Sequence, residues 1–224
     1  MSEITPRLRI LRRSGKVRVV AESGAALEVE GGSFAAAADG VIDIRPKAGA
    51  VLEVRCAAGS DLTISTSSGA IDVRGDAGSV KVITKSGALA IERATAVDAR
   101  GASGRVEVGV CAGECHVAFV SSAVHIGAAG RAVVATVSGD IEVDEVDDAE
   151  VKTVSGSVSL GARGGGRLAA RTMSGSITIS VPSGSRPATR LAALSGSVRS
   201  DCEPGHDGEI RAKSMSGAIS VTCR

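Results

Sequence analysis

Between residues 62 and 222, apolar residues come in pairs two positions apart, and the pairs recur at a nearly constant spacing. One pair follows a Ser-Gly step: Ile71/Val73 after Ser68-Gly69, Leu89/Ile91 after Ser86-Gly87, Val106/Val108 after Ser103-Gly104. The series continues at Ser121-Ser122, Ser138-Gly139, Ser155-Gly156, Ser174-Gly175, Ser195-Gly196 and Ser216-Gly217, with steps of 18, 17, 18, 17, 17, 19, 21 and 21 residues. A second pair stands six and four residues before each serine, as in Leu62/Ile64, Val80/Val82 and Val97/Ala99. Period-two patterning belongs to a strand with one buried face. Each repeat therefore predicts two short strands, with the Ser-Gly steps and the Gly/Asp clusters between them as turns.

Two strands of this length cannot bury their apolar faces alone. Stacking each copy on the next, in parallel, turns the pairs into continuous aliphatic ladders. The pattern predicts an all-β, single-domain parallel β-solenoid (β-helix) of 17–21-residue repeats, with the residues three and five after each serine pointing inward. A β-sandwich is the alternative, although it would not need the same residues at the same offsets. Residues 1–60 follow a looser version, with strand-like runs at Val17–Ala21, Ala26–Val29, Val41–Ile44 and Val51–Val54. Ser14-Gly15 and Ser23-Gly24 are faint echoes of the corner. This segment reads as an atypical N-terminal cap with irregular first coils, continuous with the repeat solenoid of residues 61–224.

The series SGDIEV (138–143), TVSGSVSL (153–160) and TMSGSITIS (172–180) resembles the bacterial "putative adhesin" or toast-rack β-solenoid family. A looser likeness is to the bactofilins, cytoskeletal β-solenoids that polymerise end to end. The resemblance implies interaction or scaffolding work and supplies no catalytic motif, so no residue inherits a role from it.

Composition narrows the function classes. The 26 Lys+Arg against 25 Asp+Glu give a net charge of +1, unlike a dedicated nucleic-acid binder. Phe34 and Phe119 are the only aromatic residues, which leaves almost nothing to stack on sugars, bases or flavins. The N-terminal residues lack the apolar run of a secretory signal, and no stretch is apolar enough for a membrane span. With five cysteines, an odd number, the default setting is a reducing cytoplasm; a processed piece of a secreted protein would look the same.

Candidate chemistry is sparse. Glu107, His125 and Glu142 occupy the same outward offset of consecutive copies and make the best carboxylate–histidine cluster, although the reading these residues favour is a solvated charged ladder. Cys111, Cys115 and His116 are half of a zinc motif without its second half, and Cys115 falls at an inward offset. Gly164-Gly165-Gly166 lacks the Lys-Ser/Thr of a phosphate loop. No catalytic, cofactor-binding or metal residue is assigned, and no cofactor is expected. A basic start (Arg7, Arg9, Arg12, Arg13) and an acidic run (Asp140 to Glu150) allow an electrostatic contact, including one between the basic cap and an anionic surface.

These features favour a non-catalytic scaffold or interaction protein that self-associates or presents a rigid surface to a protein partner. The alternative is a carbohydrate-binding or carbohydrate-active β-helix. The chain ends at Arg224, directly after the strand at Ile219–Thr222, so the last rung is expected to have an open edge. Cys202 and Cys223 each follow their serine by seven residues and should be rung neighbours, free thiols in a reduced cytosol. The candidate interface is Val120, Val137, Val154, Met173, Leu194 and Met215, each just before its repeat serine. Strict alternation turns these residues outward and buries Thr66, Thr84, Thr136, Thr153 and Thr172. A bulge at the turn would reverse both assignments and bury an aliphatic ladder worth several kcal/mol at about 25 cal/mol per Å². The bulge is therefore the blander expectation, and the exposed stripe the functional one.

Overall fold

The computed structural model describes residues 6–37, 40–47 and 49–224. Its chain divides into two compact units, Met1–Ala112 and Gly113–Arg224. Both are built of strands without any helix among the described residues, and nearly all strand pairs are parallel. This is the β-solenoid the repeat predicts. The inward set is buried from the Ser68 copy to the Ser174 copy: Ile71, Val73, Leu89, Ile91, Val106, Val108, Val124, Ile126, Ile141, Val143, Val158, Leu160, Ile177 and Ile179 are each at most 2% exposed, whereas Val198 of the Ser195 copy is exposed.

The first unit contains β1 (Arg7–Ser14), β2 (Val17–Glu22), β3 (Glu28–Glu30), β4 (Gly32–Ala36), β5 (Val41–Pro46), β6 (Leu52–Ala57), β7 (Asp61–Ser68) and β8 (Ile71–Ser86). The next strand, β9 (Leu89–Ala135), begins there and runs into the second unit. β7 and β8 pair at the repeat offset, Leu62 with Val80 and Ser68 with Ser86, and β8 continues onto β9 through Ile71 with Leu89. The N-terminal segment is more regular than its sequence suggests. β1 runs in register on β7 from Arg7–Asp61 to Ser14–Ser68, so the faint Ser14-Gly15 echo is a true corner.

The other edges of β1 and β2 take β5 and β6. The first rung in the chain is therefore inserted beneath an outer rung that follows it in sequence. Arg9 holds this order with two hydrogen bonds to Asp43, at 2.6 and 3.0 Å, and Arg18 meets Glu53 at 2.6 Å. β4 and β3 lie antiparallel on β5 and β6 and cover that outer rung.

The second unit adds β10 (Ile141–Lys152), β11 (Val158–Ala162), β12 (Arg167–Ser174), β13 (Ile177–Val181), β14 (Ala188–Ser195), β15 (Val198–Ser200), β16 (Glu209–Ser216) and β17 (Ile219–Cys223). Stacking follows sequence order from β9 through β10 and β11 to β13. It then departs from the expectation. β12 and β13 pair with β16 and β17, whose far edges take β14 and β15. The Ser216 copy is sandwiched between the Ser174 and Ser195 copies, so the chain terminus does not carry the open edge. The two 21-residue steps contain longer connections at residues 182–187 and 201–208, enough to pass over one rung and return. Glu209 favours this order, meeting Arg211 on its own strand at 2.7 Å, Arg167 at 3.5 Å and Arg190 at 3.9 Å on the two flanking rungs.

Cys202 and Cys223 are rung neighbours, as the register requires, with Cα atoms 5.6 Å apart. They are joined in a disulfide, which corrects the expectation of free thiols. Cys56, Cys111 and Cys115 are buried.

Two outcomes follow from these ties. Replacing Cys202 and Cys223 with Ser should lower the unfolding free energy of the oxidised protein by about 3 kcal/mol, measured by urea titration, because the bridge closes a 21-residue separation. The Arg9 hydrogen bond holds the Asp43 carboxyl below the ordinary aspartate value. A carboxylate lowered on folding stabilises the protein above the unfolded pKa, and that contribution is lost as pH falls through the folded value. Asp43→Asn should therefore flatten the acid limb of the stability–pH curve below about pH 4, read by thermal melts across pH.

Candidate interaction surface

The corner of each repeat decides which residues meet solvent. Gly87 has φ of 133°, and a Cβ there would collide with the carbonyl oxygen of Gly69 on the neighbouring rung. Only glycine allows so close a stacking of turns. Just before the corner the threonine turns inward, and in four of the five cases its hydroxyl finds a partner there, while that of Thr172 is buried without one. Thr66 donates to the Ser68 carbonyl at 3.0 Å, and Thr84 to that of Ser86 at 3.1 Å. In the second unit Thr136 donates to Thr153 at 3.0 Å, and Thr153 to the Ser155 carbonyl at 3.3 Å. All five threonines are buried.

Alternation therefore holds through the corner, and the bulge that would bury the aliphatic ladder is absent. The six residues before the serines are exposed: Val120 53%, Val137 47%, Val154 40%, Met173 50%, Met215 50% and Leu194 81%. Bridges from Ser121 to Ser138, Ser155 and Ser174 set four of them on successive rungs. Ser174 then pairs with Ser216, and Ser216 with Ser195. Met215 accordingly stands between Met173 and Leu194, and Leu194 on the outermost rung ends an apolar stripe confined to the second unit. The first unit has Ser67, Lys85 and Ala102 at this offset.

The other sequence candidates separate into paired charges. Glu142 is the rung partner of His125, but the His125 ring reaches Asp144 at 3.0 Å, and Glu107 lies 3.6 Å from Arg105. Asp144 was missed because it lies two residues beyond the shared offset. Within the acidic run, Glu145 and Asp147 face Arg163, Asp148 accepts from the Arg167 amide, and Lys152 holds the Glu150 carboxyl below its usual range. At the basic start, Arg7 faces Asp61, Arg9 binds Asp43, and Arg12 donates to the carbonyls of Ser14, Lys16 and Ala50. Arg13 is exposed. The cysteines of the half-zinc motif are buried, Cys111 with its thiol 3.9 Å from the Thr95 carbonyl. No group of three or more His, Cys, Asp or Glu among the described residues could hold a metal ion.

A cavity of about 650 Å³ in the first unit is lined by residues that include Arg18, Arg74 and Arg93 together with Glu53, Asp76 and Glu92. These charges neutralise one another: Arg93 meets Asp76 at 2.5 Å and Arg18 meets Glu53 at 2.6 Å. A general acid needs a carboxyl raised toward neutrality. Asp43, Glu150 and Glu209 are instead lowered, each chiefly by a hydrogen bond from Arg or Lys.

A family profile, Toastrack DUF4097, matches residues 10–222. The chain belongs to the Toastrack family. That family carries no assigned function. No curated protein matches the chain. Among solved structures, a putative cell adhesion protein from Clostridium sporogenes ATCC 15579 is similar at 10% identity and a TM-score of 0.26, covering 98% of this chain and 93% of that one. So loose a likeness carries no argument about role. No helix among the described residues is long and apolar enough to cross a membrane.

The corner geometry makes the two adjacent offsets respond oppositely to substitution. Thr153→Val should cost about 1–3 kcal/mol, because it leaves the Thr136 hydroxyl and the Ser155 carbonyl without their partner. Val154→Thr, one residue on and exposed, should change stability by no more than about 0.5 kcal/mol. Chemical denaturation of the two variants side by side checks the pair.

Proposed function

We propose that this Toastrack protein is a non-catalytic interaction module whose docking face is the apolar stripe of the second unit. The observation that carries the reading is the exposure of six aliphatic and thioether side chains on adjoining rungs, when soluble monomers seldom leave so contiguous a patch bare. At Val137 and Val154 the hydrogen bonds of Thr136 and Thr153 favour the alternation that keeps the stripe outside, since turning these positions inward would break those bonds. A rigid ladder with evenly spaced apolar knobs complements a second such ladder, and self-association through the stripe is the assembly proposed.

The compartment decides the state of the disulfide. In the reducing cytoplasm proposed from the odd cysteine count the bridge is open to reduction, and the outer rung then depends on its hydrogen-bond ladder; in an oxidising compartment the bridge adds to it.

Val137→Asp with Val154→Asp tests the stripe. The double variant should keep the β signal in circular dichroism while its sedimentation distribution shifts to smaller species. An unchanged distribution, or loss of the fold, would show that the stripe is not the docking face.

A further inference from the structure

The outermost rung of the second unit, β14 with β15, is paired on one side only. β14 bonds to β16 and β15 to β17, and no described residue pairs with their other edges. The Ala188 amide donates to the Gly208 carbonyl. Along a parallel strand, alternate residues turn their N–H and C=O toward the same neighbour. The backbone groups of Leu191 and Ala193 therefore point to the empty side. The core is uncovered there as well. Leu191 stacks on buried Ala212 and Val198 on buried Ile219, yet Leu191 is only half-buried and Val198 is 46% exposed. The edge is lightly protected: β14 has no Pro, Lys or bulge, and Arg190 is its one charged residue. In the first unit the corresponding outer rung is covered by the antiparallel strands β3 and β4.

We infer that the β14 edge is a dimerisation site that takes β14 of a second copy of this chain, antiparallel, about a twofold axis. What complements an open solenoid rung is another rung of the same pattern, because it brings both the backbone ladder and inward aliphatics at matching height. A twofold axis pairs a strand with itself antiparallel, the arrangement by which the first unit already covers its own outer rung. Charge selects the register. Centring the pair on Arg190 would face like charges, whereas centring it on Ala192 sets Arg190 against Leu194 of the second copy. The arginine stem then covers the most exposed apolar side chain of the stripe. In this register Leu191 and Ala193 exchange backbone hydrogen bonds across the axis. Ala192 meets its own mate at a non-hydrogen-bonded position, with Cα atoms about 4.5 Å apart. The contact goes beyond stripe association, and it joins two stripes end to end through Leu194.

Two variants of the full chain test it. Ala192→Cys, on the exposed side of the strand, should cross-link into a covalent dimer under mild oxidation, while Leu11→Cys, an exposed control in the first unit, should not. Ala193→Pro removes an amide that the proposal sends across the axis and the native ladder does not use. It should raise the dimer dissociation constant at least tenfold in sedimentation without changing the β signal. A dimer should persist in Val137→Asp/Val154→Asp, which separates this edge from the stripe. A wild-type chain that stays monomeric at all concentrations, an Ala193→Pro dimer of unchanged affinity, or an Ala192→Cys dimer that does not cross-link would overturn the proposal. If Ala193→Pro unfolds, the Ala192→Cys cross-link alone decides.

Discussion

A rung made of two short strands has an apolar face and nothing of its own to set against it. Its stability comes from the rung above and the rung below, through parallel backbone hydrogen bonds and through aliphatic side chains stacked at equal offsets. In this chain Ile71 rests on Leu89 in the first unit and Ile141 on Val158 in the second; the core of each unit repeats that stacking, with register shifts between Val73 and Asp76 and between Val143 and Val146. Few aromatic residues are needed, because the space between facing ladders is narrow and Val, Ile, Leu and Ala fill it. The same dependence makes every outer rung a point of weakness, since its inward side chains and outer backbone edge lack what every inner rung has.

The corner holds the stacking in phase. A glycine just after the serine lets the carbonyl of the neighbouring turn approach where a Cβ would stand, while a threonine two residues before the serine closes the corner from inside. Because a strand alternates strictly, placing that threonine inside forces the next residue outside. The apolar stripe is thus tied to the polar satisfaction of the core. Bringing Val137 or Val154 inward would break the hydrogen bonds that Thr136 and Thr153 make with each other and with the Ser155 carbonyl.

The two units treat their outer rungs differently. In the first, β1 and β2 are slotted beneath β5 and β6, and the antiparallel strands β3 and β4 close over the outer pair. In the second, the last strands of the chain are slotted beneath β14 and β15, and the outer pair is left with half its ladder unused. Ion pairs reinforce both insertions, Arg9–Asp43 in one and the arginines around Glu209 in the other. The disulfide from Cys202 to Cys223 ties the outer rung to the inserted one.

The period of the Ser-Gly steps and the paired apolar offsets determined the strand type, the parallel stacking, the buried set and the neighbourhood of Cys202 and Cys223. Those properties are local and repeat, so a single chain displays them nine times over. The facing of the stripe was only half legible. The positions were plain, but alternation and a bulge predict opposite faces, and the choice depended on whether the threonine hydroxyls could find corner partners. The order of the rungs was not legible at all. All copies carry nearly the same inward pattern, so any copy can stack on any other, and the patterning energy hardly distinguishes Ser195 before Ser216 from the reverse. Connection length and cross-rung ion pairs such as Glu209 with Arg167 and Arg190 break that near-degeneracy, and they act only once the rungs are assembled. Tertiary structure alone therefore decided which strand bears the open edge, and with it where this molecule has unmet hydrogen bonds to offer.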